Sequence, residues 1–311
     1  MKRISICALI AAATAFSAEV TITSSKDRTA QPALFSAPSS GGAKPLLVFL
    51  HSWSADYRTS ESAREAIEEA DKRGWVFISP NFRGPNNRPE ACASELAVAD
   101  VLDAVKWARS HAKVDPKRIY LLGGSGGGHM ALLMAGRAPQ LWAAVSAWVP
   151  IADLALWHAS TKAAGLRYAE MVEKCCGGPP GSPGTADEYR KRSPATWLNR
   201  AKGLPIDIEA GIHDGHAGAS VPVRHSLIAF NILAAANGAA NARIAEQDID
   251  TITFDQRLPD RLARETVTEE GRKHAVLFRR VAGPARITLF EGAHATDFPT
   301  AIRWLATHQK R

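Results

Sequence analysis

The 311-residue sequence predicts an α/β protein with a mostly parallel, doubly wound sheet, and three observations carry that reading. Short apolar runs alternate strictly with amphipathic stretches between residues 45 and 150. The runs are continuous rather than alternating in polarity, as strands covered on both faces require. Five of the seven residues 123–129 are glycine, and they sit between one such run and one such amphipathic stretch.

The elements follow in order. "PLLVFLH" (45–51) reads as a buried strand, "SESAREAIEEADKRG" as a helix stopped by Gly74, and "WVFISPNFRG" as the next strand. "ELAVADVLDAVKWARSH" is a helix, "RIYLLGG" a strand, "GHMALLMAGRAP" a helix and "WAAVSAWVP" a strand. Parallel neighbours joined through helices place those helices on both faces. The alternation breaks at about 151–197, where "ALWHASTKAAGLRYAEMVEKCC" and the turn-rich "GGPPGSPGTADEY" predict a helical, cap-like insertion. "PIDIEAGI" then resumes as a strand and "PVRHSLIAFNILAAAN" as a helix. Residues 238–283 are charged and weakly periodic, with no assigned role. "ARITLFEG" and "PTAIRWLATH" close the chain as strand and helix.

Composition narrows the function classes. The sequence opens with Lys2 and Arg3, an apolar stretch from Ile4 to Phe16, and small residues. This is the pattern of an export leader ending near residue 18, ahead of one domain at 19–311, and it predicts a secreted or periplasmic protein. No other apolar run approaches the ~20 residues of a membrane span. The formal charge of +7 is scattered and has no basic block interleaved with aromatics, so no nucleic-acid partner is expected. Cys92, Cys175 and Cys176 remain beyond the leader. In an oxidising compartment they permit one bridge, and the expected pair is Cys92 with Cys175 or Cys176. A vicinal Cys175–Cys176 bridge, or none, is the competing outcome. The spacing lacks paired CxxC units, so no metal is expected.

The glycine cluster carries the chemistry. Gly123-Gly124-Ser125-Gly126-Gly127 fits G-x-S-x-G at a strand-to-helix turn, the nucleophile elbow, in which glycines relieve crowding around a strained serine. Gly126-x-Gly128-x-x-Ala131 also matches a dinucleotide loop, but it follows the third clear strand rather than the first, and no acidic residue closes the next strand. A phosphate loop is excluded because no lysine follows the glycines.

A serine needs a base, and the base an orienting acid, in the order Ser…Asp/Glu…His, each just past a later strand. Asp214 follows "PIDIEAGI" and His294 follows "ARITLFEG". Asp153, after "WAAVSAWVP", is the reserve acid. His213 and His216 could imitate a metal pair but lack a partner carboxylate motif. His129 is expected to pack on the elbow helix and His51 to shape a loop. The oxyanion donors should be the backbone N–H groups of Gly126 and of Trp53 in "VFLHSWSAD", with Ser54 the next candidate in that loop. Trp53, Trp157 and Trp197 are the candidate substrate-contacting aromatics.

With these segments in hand, the chain resembles the α/β-hydrolase superfamily, and within it the catalytic domains of the prolyl oligopeptidase-like group, from about Pro45 to Trp304. The carrying motifs are "LLGGSGGGHMAL", "GIHDGHAGASVPVRHS" and "LFEGAHATDFPTAIRWL", with "CCGGPPG…YRKRSPATWL" before the acid strand. The resemblance implies an α/β-hydrolase fold, the triad Ser125, Asp214 and His294, and no cofactor. Two departures stand out: the early loop reads His51-Ser52 where the group has His-Gly, and the acid loop to Val221-Pro222 is longer. No β-propeller sequence precedes the hydrolase region, which shifts the expectation from peptides to a small-molecule or carbohydrate ester, such as an acetyl or feruloyl ester. An exported peptidase or amidase with the same triad, or a non-catalytic binding protein on this fold, are the alternatives.

Overall fold

A computed structural model describes residues 17–39, 41–58, 61–216, 218 and 220–311, with no side-chain description at 61 and 62. The leader expected at 1–18 lies outside these residues up to position 16.

Among the described residues nine strands form one open sheet: β1 Ala18–Thr23, β2 Ala30–Ser36, β3 Lys44–Leu50, β4 Val76–Pro80, β5 Val114–Gly124, β6 Ala144–Trp148, β7 Ile206–Gly211, β8 Val276–Ala282 and β9 Ala285–Phe290. The spatial order is β1-β2-β4-β3-β5-β6-β7-β9-β8. The six strands from β4 to β9 through the middle of that order run parallel. The two edges are antiparallel, β1 and β2 on one side and β8 on the other.

Helices cover both faces. The elbow helix α3, Gly126–Arg137, packs beneath the sheet with α2, Glu95–His111, and α7, Arg224–Ala236. The opposite face carries α1, Glu61–Lys72, and α10, Phe298–Leu305. Central strands are therefore buried on both sides; Leu46, Leu47, Val48 and Leu50 on β3 are all fully enclosed. Each such side chain contributes ~1.5–3 kcal/mol relative to exposure. Helix α2 starts where Ser94 caps it, its hydroxyl accepting from the Ala97 N–H at 3.1 Å.

The insertion between β6 and β7 holds α4 Leu154–Ala163, α5 Tyr168–Cys176 and α6 Ala186–Arg192. The stretch without an assigned role, 238–283, folds into α8 Glu246–Asp255, the short α9 Asp260–Ala263 and β8. Strands β1, β2 and β8 are additions to the sequence reading. β1 and β8 are the edge strands and β2 lies just inside β1; in all three, polar residues or Pro32 interrupt the apolar runs that mark central strands. The central order and the crossovers are those of an α/β-hydrolase, as expected.

Candidate active site

Ser125 stands between β5 and α3 with φ 57° and ψ −120°, a left-handed conformation that a serine adopts only under constraint. Its N–H donates to Trp148 O at 2.8 Å, and its carbonyl accepts from the His129 N–H at 2.9 Å, opening the helix. The glycines around it are steric necessities. A Cβ on Gly123 would lie 2.3 Å from Gly127 O, one on Gly127 2.1 Å from Leu50 O, and one on Gly126 2.3 Å from Trp53 N. The turn is thus wedged between β3 and its own helix, leaving the first N–H groups of α3 free above the sheet.

The acid and base segments meet because β7 and β9 end side by side. A Cβ on Gly211, the last residue of β7, would lie 2.1 Å from Ala293 O, so only glycine admits the histidine loop this close. The His213 N–H donates to Gly292 O at 2.9 Å and ties the two loops together. Asp214 follows, with its side chain buried. Its Oδ1 accepts the N–H groups of Gly215 at 2.9 Å and Val221 at 3.2 Å, and its Oδ2 pairs with His294 Nδ1 at 2.7 Å. The longer acid loop noted in the sequence supplies one of these donors, Val221. A carboxylate so held has its geometry fixed by the backbone, and His294 is left with Nε2 as its free ring nitrogen for chemistry.

Ser125 and His294 line one cleft of about 640 Å³. Trp53, Tyr168, Val149 and Phe298 form its apolar surface; Ser52, Ser54, Ser220 and Thr296 add hydroxyls. Among the described lining residues there is no Asp, Glu, Lys or Arg. A larger hollow of about 820 Å³ lies between Trp142, Lys202 and Lys310, but none of the serine, acid or base candidates lines it.

The remaining candidates separate cleanly. Asp153 caps α4, its Oδ1 accepting from Ala155 N at 2.8 Å and Leu156 N at 3.0 Å, so it is committed to the cap helix and does not serve as the acid. His213 bonds Gln256 and Glu291, and His216 bonds Thr253 O. His129 donates Nε2–H to Arg192 O at 2.8 Å, and burial holds its pKa down to about 4. His51 lies beneath the early loop, its ring nitrogens 2.9 Å from Ser52 O and 2.8 Å from Asn81 O, and burial lowers its pKa. Among the described residues no group of three or more His, Cys, Asp or Glu could hold a metal ion, and no helix is long and apolar enough to cross a membrane.

The three tryptophans part company. Trp53 borders the cleft and stacks edge-on with Trp157 at 4.6 Å. Trp157 itself is buried behind it, with Nε1–H donating to Ser220 O at 2.7 Å, so it shapes the wall without facing a substrate. Trp197 is a correction: it packs on Gly136 at the far end of α3, between the guanidinium groups of Arg137 and Arg200, away from the cleft. Tyr168, which the sequence reading missed, is the cap aromatic that reaches the cleft. It begins α5 behind Gly165, and nothing in its local sequence separates it from a packing residue.

The expected disulfide is also absent from the structure. Cys92, Cys175 and Cys176 are free, buried thiols in one apolar cluster beside Trp53 and Trp157. Burial pushes the Cys92 thiol well up, while a hydrogen bond from Cys92 holds Cys175 down. The two are in contact as thiols.

Comparison with known proteins gives the same frame. In solved structures the chain is similar to an acylaminoacyl peptidase in complex with Z-Gly-Gly-Phe-chloromethyl ketone, at 19% identity and a TM-score of 0.58 over 72% of this chain and 36% of that one. It is similar to the Pyrococcus horikoshii acylaminoacyl peptidase at 18% identity, with a TM-score of 0.58 over 72% of this chain and 35% of that one. A Mycobacterium tuberculosis puromycin-hydrolyzing peptidase matches at 17% identity and a TM-score of 0.61 over 96% of this chain and 39% of that one. The chain thus spans little more than a third of the length of these structures. The model of the prolyl oligopeptidase family matches residues 62–248, more than half of the sequence and including the elbow and the acid, and the chain therefore belongs to that family of serine hydrolases.

Proposed function

We propose that this serine hydrolase cleaves an amide bond in an uncharged, acylated amino-acid or peptide substrate, through an acyl-enzyme on Ser125. The observation that carries the reading is the 2.7 Å bond between His294 Nδ1 and Asp214 Oδ2 beside the strained Ser125 elbow. In this scheme Ser125 Oγ attacks the acyl carbon and gives its proton to His294 Nε2. The imidazolium is steadied by Asp214, and the oxyanion takes N–H bonds from Trp53 and Gly126. His294 passes the proton to the leaving nitrogen. A water then repeats the sequence from the other side and frees the acid and Ser125.

The peptidase names of the similar structures favour an amide over an ester. A charge-free cleft suits a substrate whose amine is blocked, because burying a bare ammonium without a carboxylate partner is costly. A second reading is a carboxylic ester, including a carbohydrate-linked acetyl or feruloyl ester; the hydroxyls of Ser52, Ser54, Ser220 and Thr296 beside Tyr168 favour it. A matched pair of substrates, the p-nitroanilide and p-nitrophenyl ester of one N-blocked amino acid, decides. If amide turnover is undetectable while the ester turns over fully, the amide reading fails.

The same proposal places the enzyme outside the cytoplasm, on the leader in residues 1–18, which N-terminal sequencing of the mature protein tests. There a disulfide reagent or exchange partner would take two electrons from the touching Cys92 and Cys175 thiols and join them, leaving Cys176 free.

A further inference from the structure

The Trp53 amide points where it does because of a loop that takes no part in the triad. A trans peptide aims its N–H opposite its C=O. The Ser52 carbonyl is occupied, accepting the Ala55 N–H at 3.2 Å and lying 2.9 Å from His51 Nδ1. The next carbonyl, Trp53 O, accepts the N–H of Asn86 at 2.9 Å. Both peptides flanking Trp53 are thereby pinned, with the Trp53 nitrogen packed against Gly126.

Asn86 sits in an unusual segment. Phe82, Arg83, Cys92 and Ala93 around it all have positive φ, at 29°, 79°, 50° and 54°. Non-glycine residues hold such angles only where the surroundings over-determine them. The Arg83 guanidinium is fixed by Asp100 and Asp27 at one end. At the other, the buried Arg192 from the cap donates to Pro89 O, Ala91 O and Cys92 O. Between these anchors the Asn86 side chain, 1% exposed, accepts the Cys92 N–H on Oδ1 at 2.6 Å. Asn86 is therefore the joint between a braced loop and the early loop that carries Trp53. Its side chain fixes the loop and its backbone holds Trp53.

We propose that Asn86 is a positioning residue for the oxyanion site, acting through Trp53 without touching substrate. The inference rests on the hydrolase reading above. Asn86→Leu keeps the branched shape of the side chain but removes the acceptor for Cys92. The expected result is a fall in kcat of roughly 10- to 100-fold, less than the full loss of one oxyanion donor, with KM within twofold. Affinity for a boronic acid, whose tetrahedral adduct presents the oxyanion, should fall by the same factor. Asn86→Asp, which keeps an acceptor oxygen, should restore most of kcat. Asn87→Ala, on the exposed neighbour, should change nothing. If the leucine variant fails to fold, Asn86→Ser, too short to reach the Cys92 N–H, reads the same quantities.

Two results separate the levels of inference. A wild type that takes fluorophosphonate on Ser125, beside an Asn86→Leu variant with lowered melting temperature but unchanged kcat and boronate affinity, overturns the positioning role alone. A wild type that takes no label overturns the hydrolase reading and the positioning role with it.

Discussion

Gly126→Ala is the sharpest perturbation of the proposed oxyanion site. The added Cβ would stand 2.3 Å from Trp53 N and 2.4 Å from its Cα, both backbone atoms, where ordinary contact begins at 3.4 Å. The two segments must part by about 1.1 Å at the nitrogen. A misplacement of about 1 Å costs roughly 100-fold, and loss of one oxyanion donor 10²–10³-fold. The expected outcome is therefore a kcat lowered by about 10²–10³-fold. Trp53 lies in a loop outside the sheet, so stability should fall less than in Gly127→Ala, whose Cβ would meet Leu50 O at 2.1 Å at the end of β3. Steady-state turnover of the matched ester and anilide, with thermal unfolding of both variants, measures this. A folded Gly126→Ala enzyme with kcat within threefold of wild type would refute the assignment of Trp53 and Gly126 as donors.

Other outcomes follow from the same geometry. Asp214→Asn should lower kcat by about 10⁴-fold, since the amide no longer orients the correct imidazole tautomer. Asp153→Ala should instead cost about 1 kcal/mol of stability through the lost α4 cap and leave kcat unchanged, which urea denaturation beside turnover distinguishes. Acid should destabilise the fold. Burial holds His129 at about 4 and His225 at about 3, and lowers His51, so these rings are neutral when folded and take up protons near pH 6.5 once unfolded. The stability they supply is complete above about pH 6.5 and is lost as pH falls through 4 and then 3, by up to roughly 1.4 kcal/mol per pH unit per ring. Melting curves from pH 8 to 4 should show the decline, and His129→Gln should flatten it; a flat wild-type profile would contradict the burial argument. Treatment with oxidised glutathione should yield a Cys92–Cys175 peptide in non-reducing mass maps, and a map showing only a Cys175–Cys176 link would exclude that pairing.

The parts of the molecule legible in the sequence are those where one residue type answers one physical demand. The elbow glycines are required by contacts near 2 Å, and central strands read as unbroken apolar runs because helices cover both faces. The order of serine, acid and histidine could be placed because each follows a strand end. What stayed hidden depends on contacts across the chain. Strand β8 reads as charged because Arg279 and Arg280 pair with Glu269 and Glu265. Arg272, also in the stretch without an assigned role, closes a buried ion pair with Glu209 on β7, and no local pattern announces such a partner. Tyr168 and Trp197 are both aromatics on or beside cap elements, and only the packed fold tells that one reaches the cleft and the other does not. Asn86 was equally silent, since its significance lies in two bonds, one to Trp53 in another loop and one to Cys92 further along its own.

The most direct measurement is the site of covalent capture. The native protein is incubated with diisopropyl fluorophosphate, digested and mapped by mass spectrometry, beside urea-unfolded protein and the Ser125→Ala and His294→Ala variants. A single phosphoryl adduct on Ser125, present only in native wild type and nearly absent from the His294→Ala variant, is the expected result. An adduct on another serine, equal labelling of the unfolded chain, or full labelling without His294 would contradict an acyl-enzyme mechanism built on Ser125, His294 and Asp214.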